Sequence, residues 1–190
     1  MMMWPEGDIQ VARQRIQTRV LRHNSLYHKY QVVQLSLARG LDAAHHAAIG
    51  LQLRQILMRF TDCLLLCSGG LTHNLSLINV GADESGITNK DWIDGKARWT
   101  IAFDEWALRA AQASAPKRID EVTNFLHAPG GVQAHPRAEH FIPFVVAAAA
   151  SVGQGLRLHQ RIAFGTMSLA AFGFGGIVKD VVKELEMDSP

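Results

Sequence analysis

The chain has 190 residues, with 48% hydrophobic and 19% charged side chains, the proportions of a soluble globular protein long enough to bury one substantial core. No apolar stretch approaches the roughly 18–20 residues that span a bilayer, which argues against a membrane partner. The opening MMMWPEGDIQ has no charged segment followed by an apolar one, so no signal peptide is expected. The net charge of +2 comes from one segment, because residues 11–31 carry Arg13, Arg15, Arg19, Arg22 and Lys29 and no acid. Without that segment 14 basic side chains face 17 acidic ones, and it holds no known nucleic-acid-binding signature, so no nucleic-acid partner is expected.

In chain order, YQVVQLSL (30–37) is β-branched and predicts a buried strand. DAAHHAAIGLQLRQILMRF (42–60) predicts an amphipathic helix capped by Asp42, with Ala48, Leu51, Ile56 and Phe60 on its core face. DCLLLCSGG (62–70) is a continuous apolar run ended by two glycines, the pattern of a central strand covered on both faces. Its cysteines, Cys63 and Cys67, are expected as buried thiols of a reducing compartment, hence a cytoplasmic protein; with no other cysteine they make no zinc site by themselves. Residues 79–96 read as a loop, and 97–113 as a helix with Ile101 and Trp106 inward. Pro116 opens a further helix to Phe125, Ala138–Val152 forms an apolar helix, and TMSLAAFGF (166–174) reads as a last strand before a polar tail. Strands alternating with helices predict an α/β layered domain.

Two stretches carry candidate chemistry. In CSGGLTHNL (67–75) the glycines allow close backbone approach at a strand end, and His73 follows at the mouth where α/β sheets bind ligands. No Lys-Ser/Thr follows, which counts against a phosphate loop. In AHPRAEHFIPFVVAAAA (134–150), His135, Glu139 and His140 abut an apolar run. A neutral imidazole there can ligate a divalent metal, or Glu139 can complement the helix N-terminus while His140 caps or stacks.

Together these blocks resemble the class III extradiol ring-cleaving dioxygenases, in particular the DOPA-dioxygenase-like branch. QVVQLSL, FDEW and FGTMSLAAFGF fall in the family's order around them, over about residues 32–175. The resemblance implies a three-layer α/β/α sandwich, a mononuclear Fe2+ or Zn2+ site, and O2-dependent opening of a catechol-type ring beside its two hydroxyls. His140 matches the family's carboxyl-side metal ligand. His73 matches the histidine that serves as acid/base or sits in the metal's shell. His135 falls where the family is not restricted to histidine, so it takes no ligand role.

The family's H-G-x-P and S-A-H-W-like blocks and its D-H-G segment are absent from this sequence. Deleting 11–31 joins PEGDIQ to VVQLSL, close to the family's uninterrupted segment. The deleted piece is 21 codons long, starts with Val (GTN) and ends with Gln (compatible with CAG), the ends of a short intron read in frame. The expected organisation is therefore a remnant at 1–10, a basic insertion at 11–31, the carboxyl-terminal part of a dioxygenase domain at 32–175, and a polar tail at 176–190. Such a chain is expected to be inactive alone. The alternative is a non-catalytic relative that uses the same fold for association.

Overall fold

The structure is a computed structural model that describes residues 11–12, 33–60, 63–78 and 98–175. It comprises two compact units, Met1–Gly40 and Leu41–Pro190. In the first, β1 (Val11–Ala12) pairs antiparallel with β2 (Gln34–Leu35), Val11 opposite Leu35 and Ala12 opposite Gln34. Only these two positions of the expected strand 30–37 are in a described ladder, and Val33 and Leu37 are exposed rather than buried. Residues 13–31, the rest of the basic insertion, lie outside the described residues, as do 79–97 and the tail.

The second unit begins with α1 (Ala43–Arg59), whose cap is the expected one: the Asp42 carboxylate accepts the His45 backbone N–H at 2.6 Å. Such a cap contributes about 1 kcal/mol. The buried face, however, is His46, Ala47, Ile49 and Gly50, while Ala48, Leu51, Ile56 and Phe60 are exposed. The face is chosen by fit rather than by bulk. A Cβ at Gly50 would lie 2.8 Å from the Cβ of Ala149, so only a small-residue stripe admits the alanine-rich α5 (Ile142–Ala150) this closely.

The expected strand at 62–70 does not form. Residues 63–70 run without a ladder partner, and Leu64 and Leu66 are each 81% exposed. A central apolar strand requires neighbours and a layer on each face, and no described element supplies them. Cys63 is accordingly exposed, against expectation, whereas Cys67 is partly covered and burial pushes its thiol up to about 11.

The core is built by α2 (Arg98–Gln112), α3 (Ala115–Thr123), the short α4 (Gly131–Ala134) and α5. Trp106 is buried as expected, while Ile101 is only partly so. Pro116 lies in the first turn of α3, where its missing N–H costs nothing, and a 3-10 turn at Phe125–His127 follows the helix. Phe141 sits at the centre, 4.5 Å from the ring of Phe125 and 5.4 Å from that of Phe103. The predicted helix 138–152 is a 3-10 turn, Ala138–His140, followed by α5. The free carbonyls at the end of α5 receive two guanidinium groups. Arg118, 1% exposed, donates to Ala148 at 3.0 Å and Ser151 at 2.9 Å, and Arg54 donates to Ser151 at 2.8 Å. Cations complement a helix C-terminus.

The last segment forms two ribbons rather than one strand. β3 (Gly155–His159) pairs antiparallel with β6 (Ala171–Phe174), and β4 (Ile162–Ala163) with β5 (Met167–Ser168). The expected strand 166–174 breaks at Leu169–Ala170, because its two ends serve different partners. The described fold is thus mixed helix and small sheet, consistent with α/β. None of the described helices is long and apolar enough to cross a membrane.

Candidate active site

The segment after Cys67 is shaped by its glycines. Gly69 lies so close to the His140 carbonyl that a Cβ would overlap it, and that Cβ would also be 3.1 Å from Pro143 Cγ. A Cβ at Gly70 would be 3.9 Å from His140 Nδ1. A side chain at Gly69 would therefore separate the glycine turn from the start of α5, whereas one at Gly70 would only touch the His140 ring.

Hydrogen bonds then hold residues 71–77 on two sides. Toward α4, the His73 N–H donates to the Ala134 carbonyl at 2.9 Å, Asn74 Nδ2 to that of Gln133 at 2.7 Å, and His135 Nε2 to that of Leu71 at 2.7 Å. Toward β5, the Thr72 hydroxyl donates to the Thr166 carbonyl at 2.7 Å and accepts the Ser168 N–H at 2.6 Å. The Asn74 side-chain oxygen, Oδ1, caps a 3-10 turn, Leu75–Leu77, by accepting from the N–H and hydroxyl of Ser76.

This scaffold brings together His73 and His140. Their rings stack with centroids 3.4 Å apart and planes 15° from parallel, both partly exposed. Burial, and secondarily the neighbouring His73, push the His140 imidazole below its ordinary value, while Glu139 opposes this. Neutral imidazole is the form that accepts a proton or ligates a metal, and the downward shift favours that form of His140 at a half-open mouth.

His135 stands apart from that mouth. It is buried, its ring 5.2 Å from Phe141, 5.5 Å from Phe103 and 5.7 Å from Phe125, and burial holds it down at about 4. Its Nε2–H serves the Leu71 carbonyl, which fixes the neutral tautomer and makes it a structural residue. Glu139 pairs with Arg137 at 3.3 Å, and its own backbone N–H is the first cause holding its carboxyl low.

Among the described residues no group of three His, Cys, Asp or Glu side chains could hold a metal ion. A catalytic divalent ion normally takes three protein ligands. The described residues by themselves therefore do not fit the expected Fe2+ or Zn2+. His23, His28, Asp83, Glu84, Asp91 and Asp94 lie outside the described residues.

Sequence reasoning missed the polar support beneath His73. Asp104 is buried on α2, accepting from the Ser168 hydroxyl at 2.5 Å and from Arg157 Nη1 at 2.6 Å. A carboxylate inside the stripe Phe103, Ala107, Ala111 was the available signal.

Comparison with known proteins supplies the wider frame. No protein-family model matches the chain. It is 32% identical over 150 residues to a 4,5-DOPA dioxygenase extradiol of Portulaca grandiflora, covering 77% of this chain and 49% of the relative. It is 28% identical over 176 residues to a 4,5-DOPA dioxygenase extradiol of Beta vulgaris, covering 92% of this chain and 52% of that one. The chain thus spans about half the length of the curated relatives it matches. Its fold is similar to the crystal structure of an uncharacterized protein of Escherichia coli K12, with a TM-score of 0.62 and 25% identity over 75% of this chain and 55% of the other. By its two curated relatives of that name, the chain belongs to the extradiol dioxygenase family.

Proposed function

We propose that the chain forms part of a metal-dependent extradiol dioxygenase that opens a catechol-type, DOPA-like ring with O2 beside its hydroxyls. The observation that carries this is the stacked His73–His140 pair, assembled from two distant blocks at one mouth. In this reading His73 takes the proton of a ring hydroxyl and returns it to the product, as a positioned imidazole can. His140 would be one ligand of an Fe2+ or Zn2+, and the H-G-x-P and S-A-H-W-like blocks that this sequence lacks would supply the others. When bound, the metal would provide coordination for substrate and O2.

In the same reading residues 32–175 are the carboxyl-terminal part of a three-layer α/β/α domain in a reducing, cytoplasmic setting. The chain as written does not turn over alone. The exposed Ile56 and Met58 of α1, and residues 63–67, which have no ladder partner among the described residues, support this, since a further layer would cover such surfaces. The shortage of ligands also favours a second reading, a non-catalytic relative that keeps the fold for association.

Ring cleavage of L-DOPA and simpler catechols with added Fe2+, followed by the absorbance of the ring-opened product, separates these readings. The 190-residue chain should be inactive. A version lacking 11–31 and joined to the preceding half of the Portulaca grandiflora relative should be active, and His73→Gln should abolish that activity. Activity of the chain alone, lost in His140→Ala, overturns the incomplete-site reading. A folded, metal-loaded completed version that opens no catechol favours the non-catalytic one.

A further inference from the structure

Asp104 is the one buried carboxylate among the described residues, and its surroundings lead toward the site. A buried charge is costly unless it is paired and fully hydrogen-bonded, so an apolar residue would sit at this core position at lower cost. Arg157 balances the charge at 2.6 Å, and Gln160 Nε2 adds a donor at 3.2 Å to the same oxygen. The other oxygen accepts the Ser168 hydroxyl at 2.5 Å. From Ser168 the connection continues through its backbone N–H to the Thr72 hydroxyl at 2.6 Å. Thr72 directly precedes His73.

We infer that Asp104 is a positioning residue for His73, acting through Ser168 and Thr72 to hold the ring against His140. The carboxylate fixes the serine side chain, the serine fixes where β5 lies, and β5 presents the N–H that anchors the Thr72 hydroxyl. Thr72 is buried and its hydroxyl is used twice, donating to Thr166 and accepting from Ser168. It therefore has no freedom to rotate without losing one bond or the other. On the opposite side His73 is tied by its own N–H to Ala134, so the residue is held from both flanks with only its ring free to face the mouth. The carboxylate bonds to Arg157, Gln160 and Ser168 and to neither imidazole; its influence passes through the two intervening residues.

This inference deepens the reading of His73 as the acid/base group, but its test needs no turnover. Histidine-ring NMR of the full chain, with His73 and His140 assigned through their glutamine variants, reads the stack directly. In the wild type, mutual stacking should displace both ring signals upfield. Asp104→Asn and Thr72→Val should lose that displacement, whereas Thr72→Ser, which keeps the hydroxyl, should retain it. Val122→Ala, which trims a fully buried side chain, should lower stability and leave the ring signals in place. Because Asp104→Asn can fail to fold, the Thr72→Val and Thr72→Ser pair decides the matter. Retention of the stack in Thr72→Val, or its loss in Val122→Ala to the same degree, overturns the inference. A positive result together with an inactive completed enzyme would leave the positioning role standing and remove the catalytic reading instead.

Discussion

Gly69 and His140 meet backbone to backbone: the glycine Cα occupies the space in front of the His140 carbonyl, where no side chain fits. Gly69→Ala should therefore push the turn off the start of α5. Overpacking of this kind costs about 1–3 kcal/mol. Thermal unfolding should show the loss, and the His73 and His140 ring signals should separate. Gly70→Ala should be milder, since its nearest conflict, with the Thr72 carbonyl, is at 3.2 Å.

His135 should make the protein acid-sensitive in a defined window. Burial holds its folded value at about 4 against an ordinary 6.5. The group is depressed on folding, so the unfolded chain binds the extra proton between those values. Stability is fully present above pH 6.5, falls as the pH drops through the window, and is fully lost below about 4. The difference amounts to roughly 3 kcal/mol. Urea unfolding at pH 7 and pH 4.5 measures it. In His135→Gln this pH-dependent part should disappear, on top of a constant loss from the altered Leu71 contact.

Arg118 should be the most sensitive surface-type residue in the fold, because it is not at the surface. Its guanidinium serves the carbonyls of Ala148, Ala113 and Ser151, and burial, then the neighbouring Arg54, pushes its value down from the ordinary range. Arg118→Met leaves those carbonyls without their donor at a cost of roughly 3 kcal/mol. Arg118→Lys should recover only part of this, since an ammonium cannot reproduce the planar fork. Denaturant midpoints of the two variants test the order.

The bare apolar surfaces should drive self-association of the isolated chain. Ile56 and Met58 on α1 and Phe60, Leu64 and Leu66 beyond it are exposed. Light scattering should show association rising with concentration. Ile56→Glu with Leu64→Glu should reduce it while changing stability by no more than about 0.5 kcal/mol, the usual range for exposed positions. A large stability loss in that double variant would mean these side chains are covered.

The helices were legible because their signals are local. Asp42 as cap, Pro116 in a first turn, and the stripe of Phe103 and Trp106 each depend on residues within a turn or two. The sheet was not. A strand is defined by its partners, and LLLC at 64–67 has the composition of a central strand with no described neighbour to make it one. GLRLH at 155–159 alternates weakly and was passed over, although β6 pairs with it. The inward face of α1 was misjudged for a related reason: Ala47 and Gly50 are chosen by the shape of α5, which periodicity does not record. At the site, His73 and His140 stand in two motif blocks whose family resemblance implies a shared site, and the structure stacks their rings. Asp104 was not legible, because its meaning depends on Ser168 and Arg157, far along the chain.

The staples on residues 71–77 also have a history in time. Their side-chain bonds span 59 to 96 positions, from Asn74 to Gln133 at the short end and from Thr72 to Ser168 at the long one. Closing a loop of that length costs about 4 kcal/mol of chain entropy before any contact repays it. The bonds to Gln133, Ala134 and His135 can close once α4 has been made, but the two bonds of the Thr72 hydroxyl cannot form until Thr166 and Ser168 have left the ribosome. The Thr72 anchor beside His73 is thus the late part of the site, and a nascent chain interrupted before Ser168 has its helices and the Ala134 tie but not that anchor.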